Sequence, residues 1–369
     1  MKDQSTLNRA AQVLRMVNHE RPADEALRMV NAENRRWSPE ERRKLVRAVF
    51  STYRWLQWLE RRESLQVQVE QALELQARFD EKPASIKVQA LAARAVPAWL
   101  AEEMELAPDY LRQLQRDPAL WIRPRLGCER EVETALDDCH GVEVAIPASE
   151  RHFTACRYNG TKDLFRTTAF HEGLFEIQDL ASQWVGHACA PKPGETWWDA
   201  CAGEGGKTLH LADLMQGKGL IWATDRSERR LERLRERSAR AKVFNFRSAA
   251  WDGSTKLPTK TLFDGILVDA PCSGVGTWQR NPHARWSTTP DDVRELAAVQ
   301  RRLLDNVAAS LKPGGRLAYS VCTLTRSETT AIVKDFSEAH PQLLPGYSGF
   351  LMPQQHDSNG MYLAIWTRA

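Results

Sequence analysis

Hydrophobic residues recur at helical spacing near the start of the chain. Leu7, Ala10, Leu14 and Val17 lie three or four residues apart, as they would on one face of an α-helix. Residues 38–41 (SPEE) read as a capping box with proline at the first helical position, and an apolar stripe follows through residues 45–56. The pattern predicts an all-helical domain at residues 1–90, with these stripes as its core.

The hydrophobic pattern changes twice along the chain. Prolines separate short helices after residue 90, and strand-like segments follow at 141–146 and 151–155, so residues 91–169 read as a small α/β connector. From about residue 170 strands alternate with helices, which is typical of a parallel sheet covered on both faces. Strands are predicted at 196–200, 220–224, 243–247, 265–269, 316–320 and 361–366, and helices at 206–215, 227–241, 290–311 and 327–338. The fold class is α/β, with a Rossmann-like domain at 170–369.

Composition bounds the function only weakly. The 369 residues are 42% hydrophobic and 27% charged, close to globular averages, and the net charge of +3 is weak evidence for a nucleic-acid partner. No apolar run approaches the roughly 18–20 residues that cross a bilayer, and the opening residues lack the apolar core of a signal peptide. We therefore expect a cytoplasmic monomer without membrane contact.

The seven cysteines are scattered without a CxxC pair. This spacing suggests neither a disulfide framework nor a zinc site, and we expect no metal. A lone cysteine is most often a small buried hydrophobe. That reading is taken for Cys128, Cys139, Cys156 and Cys189.

A glycine-rich loop, DACAGEGGKT at residues 199–208, follows the first strand of the predicted sheet. A P-loop would need glycine where Cys201 stands, and a dinucleotide fingerprint would need glycine where Thr208 stands. Asp225 ends the second strand and is placed to accept hydrogen bonds from ribose hydroxyls. A nucleoside cofactor without a diphosphate fits, S-adenosylmethionine being the common one. The alternative is a tight structural turn beside a solvated carboxylate.

Two further cysteines follow neighbouring strands of the same sheet. Cys272 lies in DAPCSG at residues 269–274, and Cys322 lies in YSVCTL at residues 319–324. Both strand ends should open onto the crevice where ligands bind in open α/β sheets. From the residues alone, a catalytic pair and a pair of buried thiols are equally good readings.

These motifs, with GLFEIQD at residues 173–179, resemble those of the RNA 5-methylcytosine methyltransferases of the NOL1/NOP2/Sun family, to which RsmB belongs. The resemblance covers roughly residues 91–369. Residues 1–90 more faintly resemble the NusB-like RNA-binding domain that precedes the catalytic part in RsmB. The implied partner is RNA, ribosomal RNA of the small subunit first and transfer RNA second, and the implied cofactor is S-adenosylmethionine.

The resemblance assigns roles to individual side chains. Cys322 would be the nucleophile that adds to carbon 6 of cytosine, because carbon 5 is otherwise a poor nucleophile, and Cys272 would resolve the adduct. Asp269 would hydrogen-bond the base, and Lys207 would assist electrostatically. The implied cofactor contacts are Cys201, Ala202, Gly203, Glu204, Gly205, Gly206, Lys207, Asp225, Asp252 and Asp269.

Three residues depart from the family pattern. Glu204 stands where the glycine loop usually has proline, and Val321 stands where threonine commonly precedes the nucleophile. Arg125 ends the connector stretch WIRPR at residues 121–125, near the end of which asparagine is usual. None of these departures removes a catalytic group.

The segment 276–286 (GTWQRNPHARW) mixes arginine with tryptophan. That mixture stacks unpaired bases and neutralises phosphates, so it predicts a contact with RNA, since a target base must leave its stack to reach a buried thiol. The alternative is a packed loop.

Two other functions compete with an RNA cytosine-5 methyltransferase. A DNA cytosine-5 methyltransferase would use the Pro-Cys thiol of Cys272 as its nucleophile, but no Glu-Asn-Val motif follows it and Cys322 would have no role. An RNA-binding assembly factor could keep the fold and lose catalysis, yet both cysteines and the cofactor acids are present.

Overall fold

The computed structural model describes residues 3–34, 36–147 and 149–369. Met1, Lys2 and Arg35 of the predicted helical domain and Ala148 of the predicted connector lie outside the described residues. The chain divides into two compact units, Met1–Pro118 with Gly274–Pro290, and Ala119–Ser273 with Asp291–Ala369. The three-part division at residues 90 and 169 stays a prediction.

The first unit is helical, as the N-terminal pattern predicts. Ser38 and Glu41 exchange the two hydrogen bonds of a capping box at the start of α3. Leu45 and Val49 of the predicted stripe are buried in its core together with Leu7. The NusB-like resemblance stays a prediction. The helices are α1 (Gln4–Met16), α2 (Ala23–Glu33), α3 (Pro39–Arg54), α4 (Leu65–Glu81), α5 (Val88–Arg94), α6 (Leu100–Glu103) and α7 (Pro108–Gln113).

The second unit begins with a small antiparallel sheet of order β2-β3-β1-β4. The sequence pattern predicts its two longer strands and misses β1 and β4. The elements are β1 (Leu120–Pro124), α8 (Glu129–Ala135), β2 (Cys139–Ala145), β3 (His152–Tyr158), α9 (Thr168–His171) and β4 (Phe175–Ile177).

One disulfide joins β2 to β3 in this sheet, between Cys139 and Cys156. The sequence predicts lone buried thiols at both positions, and that prediction is wrong. The disulfide could not be predicted from the sequence, because the cysteines come together only when β2 pairs with β3. In that register Gly141, two residues after Cys139, lies opposite Cys156. Cys128 and Cys189 are free, as expected.

A large sheet fills the rest of the second unit. Its elements are α10 (Leu180–Cys189), β5 (Thr196–Asp199), α11 (Gly206–Leu214), β6 (Leu220–Asp225), α12 (Glu228–Arg240), β7 (Phe246–Ala250), β8 (Phe263–Asp269), α13 (Ala284–Ser287), α14 (Pro290–Ala308), β9 (Leu311–Val321), α15 (Thr330–Ala339), β10 (Leu343–Leu351), α16 (Pro353–His356) and β11 (Met361–Arg368). Of these, α13 belongs to the first unit. The predicted strand at 243–247 is observed later, as β7, and β10 was not predicted.

The strand order is β10-β11-β9-β8-β5-β6-β7. The five strands from β9 to β7 are parallel, and β11 pairs antiparallel with β9 and β10. After β5 the chain adds β6 and β7 on one side, then crosses to add β8 and β9 on the other. The switch between β5 and β8 is where open α/β sheets bind ligands. The predicted Rossmann-like α/β fold is confirmed.

Adjacent tryptophans show how the large sheet is buried on both faces. Trp197 and Trp198 of β5 are fully buried and belong to different core clusters, because successive side chains of a strand point to opposite faces. Among the described residues, no helix is long and apolar enough to cross a membrane. Within the same residues, no group of three or more His, Cys, Asp or Glu side chains is arranged to hold a metal ion.

Candidate active site

A cavity of about 600 Å³ opens at the carboxyl ends of the parallel strands. Every site residue expected from the sequence lines it, with the exception of Gly205. These residues are Cys201, Ala202, Gly203, Glu204, Gly206, Lys207, Asp225, Asp252, Asp269, Cys272 and Cys322. The fold therefore brings the three motifs into one crevice.

The glycine loop forms the floor of one half of this crevice. Gly203 and Gly205 have φ of +55° and +85°, a region that favours glycine, and a Cβ on Gly205 would meet Leu234 Cγ at 2.6 Å. Asp225 Oδ2 accepts a hydrogen bond from Gly203 N at 3.0 Å, and its Oδ1 accepts one from Ser227 N at 2.8 Å. The carboxylate of Asp225 is thus held at the cavity by backbone amides of two loops.

Asp199 is a fully buried carboxyl at the end of β5 that also lines the cavity. Thr208 donates a hydrogen bond to its Oδ2 at 2.7 Å, while its Oδ1 has no hydrogen-bond partner among the described residues. Burial raises the pKa of Asp199 to about 7. An unpaired buried oxygen is costly, so this position favours a ligand that donates a hydrogen bond or carries positive charge.

The outer part of the crevice is rimmed by charged residues. Asp252 accepts a hydrogen bond from Ser254 N at 3.0 Å, and its hydrogen bonds to Ser254 lower its pKa. Three arginines that were not predicted from the sequence also line the cavity. A signal existed only for Arg226, which directly follows Asp225. The three are Arg226, Arg230 and Arg302.

Cys272 and Cys322 lie together in the other half of the crevice, with their Sγ atoms 3.3 Å apart. The hydrogen bond from the Cys272 thiol lowers the pKa of Cys322 below its ordinary value, against burial, which acts in the opposite direction. By contrast, burial raises the pKa of the neighbouring Cys201 thiol well above its ordinary value. Because the thiolate is the nucleophile, Cys322 is better suited to attack than Cys201.

Asp269 is held beside the cysteines by two donors. Lys207 Nζ donates to its Oδ2 at 2.7 Å, and Ser320 Oγ donates to its Oδ1 at 2.7 Å. Burial lowers the pKa of Lys207, but the Asp269 carboxylate outweighs burial and holds it above its ordinary value. The side chain of Asp269 is 29% exposed and that of Lys207 only 9%, so the carboxylate still presents a face to a ligand.

Behind the cysteines lies a buried carboxylate that the sequence analysis missed, Glu328. It is fully buried at the end of the short 3-10 helix Arg326–Glu328 and accepts hydrogen bonds from residues that follow both cysteines. The signal in the sequence was its position six residues after Cys322, in a stretch rich in threonine. That signal is weak unless it is known that the loops after the two cysteines meet at Glu328.

Comparison with known proteins gives the family. A sequence profile described as 16S rRNA methyltransferase RsmB/F matches residues 187–366. The ribosomal RNA small subunit methyltransferase B of Shewanella oneidensis is 31% identical over 297 residues, which are 74% of this chain and 67% of that protein. The chain belongs to the RsmB/F methyltransferase family. This confirms the resemblance drawn from the motifs.

A second RsmB/F relative is the probable ribosomal RNA small subunit methyltransferase B of Synechocystis, 34% identical over 258 residues. The match covers 62% of this chain and 57% of that protein, so the chain spans little more than half of this relative's length. The fold is also similar to that of solved structures, of which two are described. PH0851 has a TM-score of 0.79 at 23% identity over 99% of both chains, which shows the fold.

The other is NSun6 from Pyrococcus horikoshii with SFG, an analogue of S-adenosylmethionine. It has a TM-score of 0.51 at 26% identity over 63% of this chain and 68% of that one. S-adenosylmethionine is the cofactor of the RsmB/F family, as the sequence analysis expected.

The three departures from the usual family pattern have structural explanations. Glu204 is exposed and lies 3.7 Å from Arg233 on α12, a surface ion pair. Val321 is fully buried in the core of the sheet, so its side chain does not reach the crevice solvent. Arg125 Nε donates to Asp213 Oδ1 at 2.6 Å and, with Arg123, fastens α11 to β1.

The segment 276–286 is packed within the first unit at two of its positions, and the prediction that it contacts RNA is wrong for Trp278 and Arg285. Trp278 is fully buried against the edge of Trp99. Arg285 is fully buried and donates to the carbonyl oxygens of Ala95 at 2.8 Å and Leu114 at 2.9 Å. The guanidinium therefore satisfies backbone acceptors, where the sequence suggested phosphates.

Proposed function

We propose that this protein transfers a methyl group to carbon 5 of a cytosine in small-subunit ribosomal RNA through a covalent adduct on Cys322. The observation that carries the proposal is the pair of thiols 3.3 Å apart in the crevice that also contains Lys207 and Asp269. A methyltransferase acting on oxygen or an exocyclic amine would need no thiol. A pair of them beside a bound carboxylate fits covalent activation of a pyrimidine.

The chain's own side chains would act in order. The Cys322 thiolate adds to carbon 6 of cytosine, which makes carbon 5 an enamine carbon that takes up the methyl group. The carbon-5 proton then leaves to a base, the bond between carbon 6 and Sγ breaks, and the ring regains its aromaticity. We assign this release step to Cys272, because its thiol is the neighbour of the sulfur that must depart.

Asp269 and Lys207 would hold the base. With Oδ1 and Oδ2 fixed by Ser320 and Lys207, the remaining lone pairs of Asp269 can accept from the Watson–Crick edge of cytosine. That contact favours the protonated ring nitrogen and so makes carbon 6 more electrophilic. The positive charge of Lys207 offsets the charge that the thiolate brings to the ring.

The residues of the other half fit S-adenosylmethionine, which supplies the methyl group when bound. Asp225 can accept from ribose hydroxyls, and Asp252 lies at the rim where the adenine would lie. Asp199 Oδ1, for which the described part of the chain offers no hydrogen-bond partner, suits a ligand that carries positive charge. Gly203 lines the cavity at a φ of +55° and lets the backbone approach the ligand closely, whereas Gly205 lets the loop pack against Leu234.

The choice of substrate rests on the relatives. Those from Synechocystis and Shewanella are named ribosomal RNA small subunit methyltransferase B, which supports the same RNA as substrate here. We further propose that the helical N-terminal region binds this RNA, as its resemblance to NusB-like domains implies. Transfer RNA is the alternative substrate.

The proposal is tested with purified protein, S-adenosylmethionine labelled at its methyl group, and four nucleic acids: 16S ribosomal RNA, small subunits, transfer RNA and duplex DNA. We expect 5-methylcytidine from ribosomal RNA and none with Cys322→Ala. Cys272→Ala should accumulate a protein–RNA complex that survives denaturation. Methylation by Cys322→Ala at the rate of the unsubstituted protein would refute the mechanism.

The other substrates separate the alternatives. Methylation of transfer RNA alone would keep the chemistry and change the substrate, whereas methylation of DNA alone would favour a DNA methyltransferase. Tight binding of RNA without binding of the cofactor would favour an assembly factor.

A further inference from the structure

We propose that Glu328 is a positioning residue that holds Cys272 and Cys322 at their reactive spacing by bridging the loops that follow the two cysteines. This inference rests on the proposed function, because it concerns the release of the adduct on Cys322, the step assigned to Cys272. Glu328 would act on the two sulfurs through other residues. Its effect would pass through Ser273 on one side and through Thr323 and Thr325 on the other.

The Cys272 loop is bound at the residue next to the thiol. Ser273 N donates to Glu328 Oε1 at 2.9 Å, and the Ser273 hydroxyl donates to Oε2. A backbone amide and a hydroxyl on the same residue thus fix both the path of the chain and its direction. The Cβ of Cys272 has little freedom once the following peptide is held.

The Cys322 loop is bound by the same carboxylate. The hydroxyl of Thr325 lies 2.8 Å from Glu328 Oε2, and that of Thr323, directly after Cys322, lies 3.2 Å from it. The hydroxyls of Ser273 and Thr323 are also 2.8 Å apart, so the two loops meet at Glu328. A carboxylate is well suited to this place because its two oxygens accept several donors at once.

A third element, α14, braces the bridge. Gln300 is fully buried, and its Nε2 donates to Glu328 Oε1 and to Pro271 O, both at 2.9 Å. The Tyr319 hydroxyl lies 2.7 Å from the Glu328 carbonyl oxygen. A buried carboxylate is destabilising unless donors satisfy it, and here the donors come from both cysteine loops and from α14.

The course of the chain explains why the Cys272 loop needs an anchor. Ser273 is the last residue of its segment in the second unit, because residues 274–290 belong to the first unit. On the other side, Cys272 is tied to the sheet through β8, which ends at Asp269. Glu328 therefore fixes the loop to the second unit at the residue where the chain leaves that unit.

The spacing of the two thiols can be measured without any substrate. Diamide accepts two hydrogen atoms and converts two adjacent thiols into a disulfide, so its rate of reaction reports how often the two sulfurs meet. Peptide mapping by mass spectrometry distinguishes the Cys272–Cys322 disulfide from other products. We expect Glu328→Ala to slow its formation at least about tenfold, since displacements near 1 Å can change such rates by about 10²-fold.

Two variants serve as controls. Glu328→Gln keeps the size of the side chain and one acceptor oxygen, and it should restore the rate to within about threefold of the unsubstituted protein. Glu338→Ala removes an exposed glutamate from α15 and should leave the rate unchanged. If Glu328→Ala does not fold, Ser273→Ala combined with Thr325→Val weakens the bridge from its other end and should slow the reaction in the same direction.

The second measurement connects spacing to catalysis. We expect Glu328→Ala to lower kcat with little change in KM for RNA or in cofactor affinity, and to raise the fraction of protein trapped as the RNA adduct. A merely structural role would lower all activities together with stability. Folded Glu328→Ala that forms the disulfide at the normal rate overturns the inference. Failure of Cys272→Ala to trap any adduct overturns the proposed function instead.

Discussion

The cofactor half of the crevice, formed by the glycine loop and the end of β6, contains a buried carboxyl oxygen without a partner among the described residues, whereas the carboxylates of the cysteine half have donors on both oxygens. On the cofactor side, Asp199 Oδ1 has no partner among the described residues and Asp252 lies at the rim. On the cysteine side, Asp269 has donors on both oxygens and Glu328 is surrounded by hydroxyls and amides.

The cofactor half therefore depends on a ligand more than the cysteine half does. The cofactor half is completed by what binds there, so substitutions in it should change affinity. The cysteine half is organised in advance, which lowers the reorganisation needed when charge develops on the base, so substitutions there should change the rate of the chemical step.

Lys207→Met removes a charge from the cysteine half. The variant leaves Asp269 without its ammonium partner, and we expect the rate of methyl transfer in a single turnover to fall on the order of 10²-fold or more. Cofactor affinity should change far less. Lys312→Met is the matched control. Lys312 forms an ion pair with Asp264, with 2.9 Å between Nζ and Oδ2, and neither residue lines the cavity. Equal losses from both variants would contradict the account.

Asp225→Asn alters the cofactor half. Asparagine keeps one acceptor for the backbone amides but loses the charge, so we expect the Kd of S-adenosylhomocysteine to rise roughly tenfold. Isothermal titration calorimetry measures this directly. Oxidation of the Cys272–Cys322 pair by diamide should proceed as in the unsubstituted protein. An unchanged Kd together with lost methylation would contradict the assignment of Asp225 to cofactor binding.

Asp199→Asn tests the pH dependence of the cofactor half. With its pKa raised to about 7 by burial, Asp199 keeps in the folded state a proton that the unfolded chain releases near pH 4. Its contribution to stability therefore falls as pH rises from about 4 to about 7. Because asparagine does not titrate, the Tm of the variant relative to the unsubstituted protein should increase across this range. Parallel Tm curves in the ligand-free state would contradict the assignment.

Glu204→Ala and Glu204→Pro should have the smallest effects. The side chain is 53% exposed and makes only a long contact with Arg233, and the hydrogen bond of the turn comes from Gly205 N to Ala202 O. We expect changes in the free energy of unfolding within about 0.5 kcal/mol and nearly unchanged cofactor affinity. A large loss of affinity in Glu204→Ala would mean that this carboxylate contacts the ligand.

The sequence could predict the parts of the site that depend on local constraints. The turn at Gly203 and Gly205 needs glycine whatever surrounds it, and Asp225 follows from its place at the end of a strand. Glu328 could not be predicted because its partner Ser273 lies 55 residues away in the chain. The predicted RNA contact of Arg285 was wrong because composition does not show whether a guanidinium binds a phosphate or a carbonyl oxygen.

The same limit applies to the fold. Strands β8 and β9 and the helices beside them were predicted from the alternation of strands and helices, but β10 contains Pro345, Gly346 and Gly349 and has no strand pattern. The edge strand β4 has only three residues, too few for a periodic signal. Such strands form because a neighbouring strand is present to pair with them.

Bisulfite sequencing of total RNA detects the proposed methylation of carbon 5 at each cytosine. Cells with the gene, without it, and with its Cys322→Ala variant are compared at every cytosine. The account predicts that a protected cytosine in small-subunit ribosomal RNA becomes reactive in the second and third cases. An RNA methylation map that is identical in all three would contradict it.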